Sequence, residues 1–117
     1  MNVLLILNDA PYGSERSYNA LRLAMALQKE QAPETLRVFL MADAVGCAVA
    51  GQATPQGYYN VERMLRSVLL KGGEVSLCGT CADVRGLKAE AWVEGARRGS
   101  MSELAQWTAE ADRMLTF

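Results

Sequence analysis

Two thiols stand three positions apart in Cys78-Gly79-Thr80-Cys81, and Arg85-Gly86 follow within one more turn of chain. A C-x-x-C pair has four chemical readings. It can be half of a zinc site, which needs two further thiolates or imidazoles. It can be a dithiol redox pair, although thioredoxin-like chains carry theirs after the first strand of the βαβ unit. It can hold one nucleophilic or sulfur-carrying thiol, provided that thiol is exposed and its pKa is lowered. Or it can be two small apolar side chains that pack, because a free cysteine behaves as a small hydrophobe. Spacing alone leaves all four open. For the nucleophilic reading, the start of a helical turn at Thr80–Cys81 and the charge of Arg85 are the features that would lower the pKa of Cys78.

The other candidates are weighed against blander roles. Arg85 fits a thiolate partner or anion clamp, and equally an exposed charge ending a helical turn. Asp9, Tyr12 and Gly13 fit residues lining the site from the first loop; ordinary turn chemistry explains them as well. Gly86 breaks the turn that Arg85 ends. Cys47, amid Ala44, Val45, Ala48 and Val49, reads as core. Trp92 and Trp107 read as core or interface, and Met64, Met101 and Met114 as core filler. There is no histidine, which removes Ser-His-Asp and Cys-His catalysis and imidazole metal ligation. Three cysteines cannot supply four thiolates to one zinc ion within one chain. No metal and no cofactor is therefore expected, and a single glycine in the first loop is no phosphate-binding signature.

The elements that must position Cys78 follow from the apolar pattern. Val3–Leu7 is a continuous apolar run, as expected of a strand buried on both faces in a parallel sheet. Asn8–Ser14 is a turn-rich loop, with Ser14 a possible cap for a helix over Glu15–Lys29 whose apolar positions include Tyr18, Leu21 and Met25. Leu36–Met41 is a second strand. Asp43 is expected to cap a short helix over Ala44–Ala50. Gly51–Tyr59 is a loop longer than a connection requires, fit for a lid or a subunit contact. Asn60 caps a helix carrying Val61, Met64, Leu65, Val68 and Leu69, and Gly72-Gly73 ends it.

Glu74–Leu77 is the third strand, with Cys78 at its C-terminal edge, where ligand sites of open parallel sheets collect. Cys81–Arg85 reads as a helical turn, Leu87–Glu94 as a short helix and Gly95–Gly99 as a brief edge strand. Ser100-Met101-Ser102-Glu103 is a capping box, and the helix it opens buries Leu104, Trp107, Ala111 and Thr108. Arg113–Phe117 is a closing strand. The alternation predicts one α/β domain over 1–117, a three-layer α/β/α arrangement with a mainly parallel five-stranded sheet. Loops after the first and third strands share an edge, which would bring Asn8–Ser14 near Cys78–Gly86.

At 117 residues the chain is long enough to bury a core without disulfide or metal support. A net charge of −1, with both signs mixed, gives no basic tract for nucleic acid and little repulsion between copies. No apolar run reaches membrane-spanning length, and the start lacks a basic signal-peptide region. The expectation is a soluble cytoplasmic protein with reduced cysteines.

The whole chain resembles the DsrE/DsrF/DsrH-like superfamily, most closely its YchN branch. The resemblance rests on Ala10-Pro11-Tyr12-Gly13-Ser14-Glu15, Leu21-Arg22-Leu23-Ala24, Phe39-Leu40-Met41 with Asp43-Ala44-Val45, and the loop from Gly51-Gln52 to Gly57-Tyr58. It continues through Leu77-Cys78, Cys81, Arg85-Gly86, Glu103–Thr108 and Leu115-Thr116-Phe117. It implies a parallel α/β/α sheet and homo- or hetero-oligomers, hexamers in several members. It also implies sulfur relay, in which a cysteine ending the third strand, followed by Arg-Gly, accepts persulfide sulfur from a donor protein and passes it to an acceptor. Cys78 and Arg85-Gly86 match those positions; Cys81 matches the second cysteine of the YchN branch, a branch without an assigned reaction. Two alternatives stand beside sulfur relay: a non-catalytic oligomeric binding module, and a redox sensor using the Cys78/Cys81 pair.

Overall fold

The computed structural model describes residues 1–117. Five strands, β1 (Asn2–Leu7), β2 (Thr35–Leu40), β3 (Glu74–Cys78), β4 (Arg97–Gly99) and β5 (Arg113–Thr116), form one sheet in the order β4-β3-β2-β1-β5. Every pairing is parallel. Four α-helices join them: α1 (Arg16–Glu30), α2 (Val61–Leu70), α3 (Gly79–Val84) and α4 (Met101–Glu110). A 3-10 segment over Ala42–Ala48 and a 3-10 turn over Ala89–Ala91 complete the chain.

Strand alternation divides the core in two. Val3, Leu5 and Leu7 of β1, Leu36, Val38 and Leu40 of β2, and Val75 and Leu77 of β3 point to one face. There they meet Ala20, Leu21 and Ala24 of α1, Val61, Leu65 and Val68 of α2, and Ala82 of α3. The opposite face is covered by α4, whose Leu104 and Trp107 pack on Leu4 and Phe39. Trp107 meets Phe39 edge-on at 6.0 Å between ring centroids, and the Arg37 and Arg97 guanidinium groups lie over its ring at 5.1 and 5.5 Å. The three-layer expectation is therefore met, with the third layer a single helix.

Several local expectations are corrected. The buried stripe of α1 is Ser17, Ala20, Leu21 and Ala24, while Tyr18 and Met25 are only half-buried. Small residues let the helix approach the sheet closely, and Ser17 satisfies its hydroxyl on the Asp9 carbonyl at 2.8 Å. Glu15, without a side-chain bond, holds the cap position of α1, and Ser14 stands one residue earlier, its hydroxyl accepting from the Arg16 N–H at 3.4 Å. Asp43 caps nothing, being engaged by Arg85, and its segment is 3-10. Leu87–Glu94 forms only the Ala89–Ala91 turn. Thr108 is exposed, because only the Leu104/Trp107 side of α4 reaches the sheet.

Asn60 and Ser100 do cap their helices, accepting from the N–H groups of Arg63 and Glu103. The other half of the capping box is not made. The Glu103 carboxylate turns away to accept from the Ser76 hydroxyl and from Arg97.

The long loop before α2 is not an open lid. The Gln52 amide donates to the carbonyls of Cys47 and Val49, and its Oε1 accepts from the Tyr12 hydroxyl at 2.6 Å. Glu62 accepts from the N–H groups of Gly51 and Gln52. The Tyr12 oxygen also accepts from the N–H of Val61 at 3.1 Å, at the first turn of α2. Tyr12→Phe removes that acceptor from a buried N–H. The expected result is a loss of about 1–3 kcal/mol in urea unfolding, with no change in secondary structure by circular dichroism.

Candidate functional site

After β3 the chain turns toward the α1/α2 face, where Ala82 of α3 joins the main core. After β4 it turns the other way, into α4. Adjacent parallel strands whose continuations diverge to opposite faces open a crevice at their C-terminal ends, the usual ligand position in such sheets. β3 and β4 are those strands here, and Cys78 pairs with Gly99 in register. A cavity of about 270 Å³ occupies the crevice, walled by Phe39, Met41 and Met101 and carrying Cys78, Thr80 and Arg98.

Cys78 is the residue that precedes α3, and its thiol is half-buried. The Cys81 N–H donates to its Sγ at 3.3 Å, and the Thr80 hydroxyl also lies 3.3 Å from it. Partial burial opposes ionisation of this thiol. Hydrogen bonds from the side chains and backbones of Cys81 and Thr80 outweigh it and hold the pKa below the usual cysteine value. Cys81 goes the other way. Burial and the sharing of its proton with Cys78 raise its pKa, although the Ala42 N–H and the Arg85 charge act in its favour. Ala42 takes a left-handed φ of 49°, a strained conformation for a non-glycine residue, on the approach to that sulfur. Cys47 is fully buried, its thiol pushed up to about 12 by burial, so it is the inert one of the three.

Because the thiolate is the nucleophile, the opposed shifts predict an order of reaction. Alkylation of Cys78 by iodoacetamide should rise with pH through a midpoint below the ordinary cysteine range. That of Cys81 should follow at higher pH, and native Cys47 should stay unlabelled. Thr80→Val deletes one donor to the thiolate and should move the Cys78 midpoint upward. Site-mapped mass spectrometry across a pH series measures all four.

The structure does not gather all the residues singled out from sequence. Arg85 points away from Cys78: its Nε and Nη2 reach Asp43 at 3.0 and 2.9 Å, and its Nη1 reaches the Cys81 carbonyl at 3.0 Å. It fastens α3 to the 3-10 segment, and Gly86 closes the turn behind it with a φ of 67°. Asp9 accepts from the Ser14 hydroxyl and pairs with Arg16, while Tyr12 stacks on Tyr59 at 5.6 Å. Asp9, Tyr12 and Gly13 lie outside the Cys78 cavity. The reason is strand parity. Cys78 shares the alternation of Ser76, whose register partner is Phe39 on the α4 side, whereas the first loop leads into α1 on the other side.

The cation that does face the cavity is Arg98, which sequence reasoning missed. Its guanidinium binds Asp83 through both terminal nitrogens, at 3.0 and 2.8 Å, and lies on the backbone of Gly79. The only sequence signal was its place in the brief edge strand read over Gly95–Gly99.

The comparisons with known proteins agree with this architecture. The DsrE/DsrF-like family model matches residues 1–117. Protein YchN of Escherichia coli K12 is 44% identical over 115 residues, 98% of this chain and 97% of YchN. An uncharacterized protein of Methanocaldococcus jannaschii is 35% identical over 117 residues and the full length of both. The crystal structure of E. coli YchN superposes with a TM-score of 0.94 at 43% identity, covering 100% of this chain and 99% of that one. A protein of unknown function from Bacteroides thetaiotaomicron shares the fold at a TM-score of 0.73 and 16% identity, over 99% of this chain and 95% of its own. On the family match and the identity to YchN, this chain belongs to the DsrE/DsrF-like family.

Proposed function

We propose that this protein carries sulfane sulfur on Cys78. The observation that supports the reading best is the Cys78 thiol itself, at the mouth of a crevice, with a lowered pKa and two donors aimed at its sulfur. The Cys78 thiolate attacks the outer sulfur of a donor persulfide, R–S–SH. A new S–S bond forms on Cys78, the donor's S–S bond breaks, and the donor leaves as the thiolate R–S⁻. An acceptor thiolate then takes the outer sulfur and restores the Cys78 thiolate. Alternatively, the Cys81 thiolate attacks the Cys78 sulfur, forms a Cys78–Cys81 disulfide and releases HS⁻. Arg85 supports this route from behind, through its charge on Cys81 and its bond to the Cys81 carbonyl.

Treating the full chain with a small-molecule persulfide donor and reading its intact mass tests the proposal. Addition of one sulfur atom, mapped to Cys78, is expected. The redox-sensor reading draws on the same proximity of the two cysteines, and its mark is loss of two hydrogens under peroxide with no sulfur gained by the donor route. An unloaded, unoxidised chain leaves only the binding module.

The same proposal includes a homo-oligomer, with protein donors and acceptors and no direct contact to nucleic acid. Apolar surface on the β5 edge supports it: Met114 and Leu115 are exposed, beside an apolar cleft of about 380 Å³ that also takes in Leu23 and Leu27. No helix is long and apolar enough to cross a membrane. Sedimentation of the wild type against Leu115→Glu should show a smaller species for the variant.

A further inference from the structure

Gly79 occupies the first position of α3, where alanine is ordinarily the better helix former. Its φ is not left-handed, so backbone conformation does not require glycine. Contact does: a Cβ there would stand 2.5 Å from Arg98 Cζ and 2.6 Å from its Nε. The missing side chain lets the guanidinium lie directly on the residue after Cys78. Asp83 occupies its two terminal nitrogens. An arginine has five N–H donors, so this bidentate bond leaves others free, the Nε–H among them. Both members of the pair are more than half exposed, at 54% and 58%, so the pair adds little to stability and yields readily to a competing anion.

From this geometry we infer that the Cys78 crevice is a binding site for small anionic sulfur compounds, thiols or persulfides bearing a carboxylate or similar group, with Arg98 as the residue that selects the charge. The inference rests on the reading of Cys78 as a reactive thiolate. The anionic group takes the free N–H donors of Arg98, the carbon portion lies against Met41 and Met101, and the sulfur faces Cys78. A cavity of about 270 Å³ suits a compound of that size and falls below the range of about 300–1,000 Å³ usual for larger ligands such as nucleotides. Asp83 holds the guanidinium in place when the crevice is empty and sets a threshold that a neutral compound gains nothing by crossing.

Two alkylating reagents of nearly the same size, iodoacetate and iodoacetamide, separate charge selection from thiol reactivity. Both form a thioether on Cys78 with release of iodide, and changes in the Cys78 pKa affect both alike. The measured quantity is the ratio of their rate constants at Cys78 in the full chain, mapped by mass spectrometry. Arg98→Ala should lower the iodoacetate preference about two- to fivefold, and Gly79→Ala, which displaces the guanidinium, should lower it in the same direction. Asp83→Asn frees the guanidinium and should raise it, and Arg98→Lys should retain most of it. General loosening of the crevice would move Arg98→Ala and Asp83→Asn the same way, so a common direction, or an unchanged ratio in Arg98→Ala, overturns the inference while leaving the thiol's reactivity intact. If neither reagent labels Cys78, the sulfur-carrier reading and this inference fall together.

Discussion

Cys78→Ser is expected to abolish sulfur loading, whereas Cys81→Ser is expected to load and then retain the added sulfur longer than the wild type. The asymmetry comes from the geometry around the two sulfurs. Donors from Cys81 and Thr80 converge on Cys78, while Cys81 gives its own proton toward Cys78 and sits with the raised pKa. A serine hydroxyl at position 78 remains protonated at neutral pH and is a poor nucleophile toward sulfur, so a fall of at least about a thousandfold in loading rate is expected, on the scale seen when an enzyme loses its nucleophile. Cys81→Ser leaves the backbone N–H that donates to Cys78 in place. It removes the only thiol within reach that can displace HS⁻, so the persulfide should persist until an outside acceptor takes it. Intact mass after loading, followed over time with and without an added acceptor thiol, reads both outcomes. Equal loading of Cys78→Ser and wild type would sink the proposal.

Whether a thiol could stand at the end of β3 was legible in the sequence, because a short apolar run bounded by glycines places a strand end within a residue or two. The alternation of strands and helices carried the parallel three-layer fold for the same reason. What surrounds the thiol was not legible. Arg85 lies nearer to the cysteines in sequence than Arg98, yet it stands four residues past Cys81, just beyond the end of α3, where it reaches Asp43 and the 3-10 segment. Arg98 arrives from the neighbouring strand, and only strand order and register, which no local pattern encodes, bring it over Gly79. The first loop was misplaced for a related reason. Sharing a sheet edge does not mean sharing a face, and the face follows from strand parity. The buried stripe of α1 was obscured differently: apart from Leu21, which the pattern marked, its inward residues Ser17, Ala20 and Ala24 are small, so hydrophobicity marked the larger Tyr18 and Met25 instead.

Gly99→Ala should be among the most destabilising single-methyl changes in the molecule, against local rules. Gly99 ends an edge strand with no left-handed φ, and glycine in a strand is normally about 0.5–1 kcal/mol worse than alanine. Propensity alone would therefore predict a gain. The new Cβ would instead collide with the Ser76 hydroxyl and stand 2.8 Å from Glu103 Oε1 and 2.9 Å from Phe39 Cε2. Ser76 is fully buried, so pushing Glu103 off its hydroxyl leaves that group only the longer bond to the Arg97 carbonyl at 3.4 Å. Overpacking at about 1–3 kcal/mol and a broken buried hydrogen bond at about 1–3 kcal/mol act together, giving an expected net loss of about 2–5 kcal/mol in urea unfolding. Ser76→Ala removes the obstructing oxygen. The double variant Ser76→Ala/Gly99→Ala should therefore be more stable than the sum of its single changes by about 1 kcal/mol or more, a coupling that additive behaviour would exclude. Since Gly99 is the register partner of Cys78, the same cycle shows whether the crevice is held open by the packing beneath it: iodoacetamide labelling of Cys78 should change in Gly99→Ala and return in the double variant.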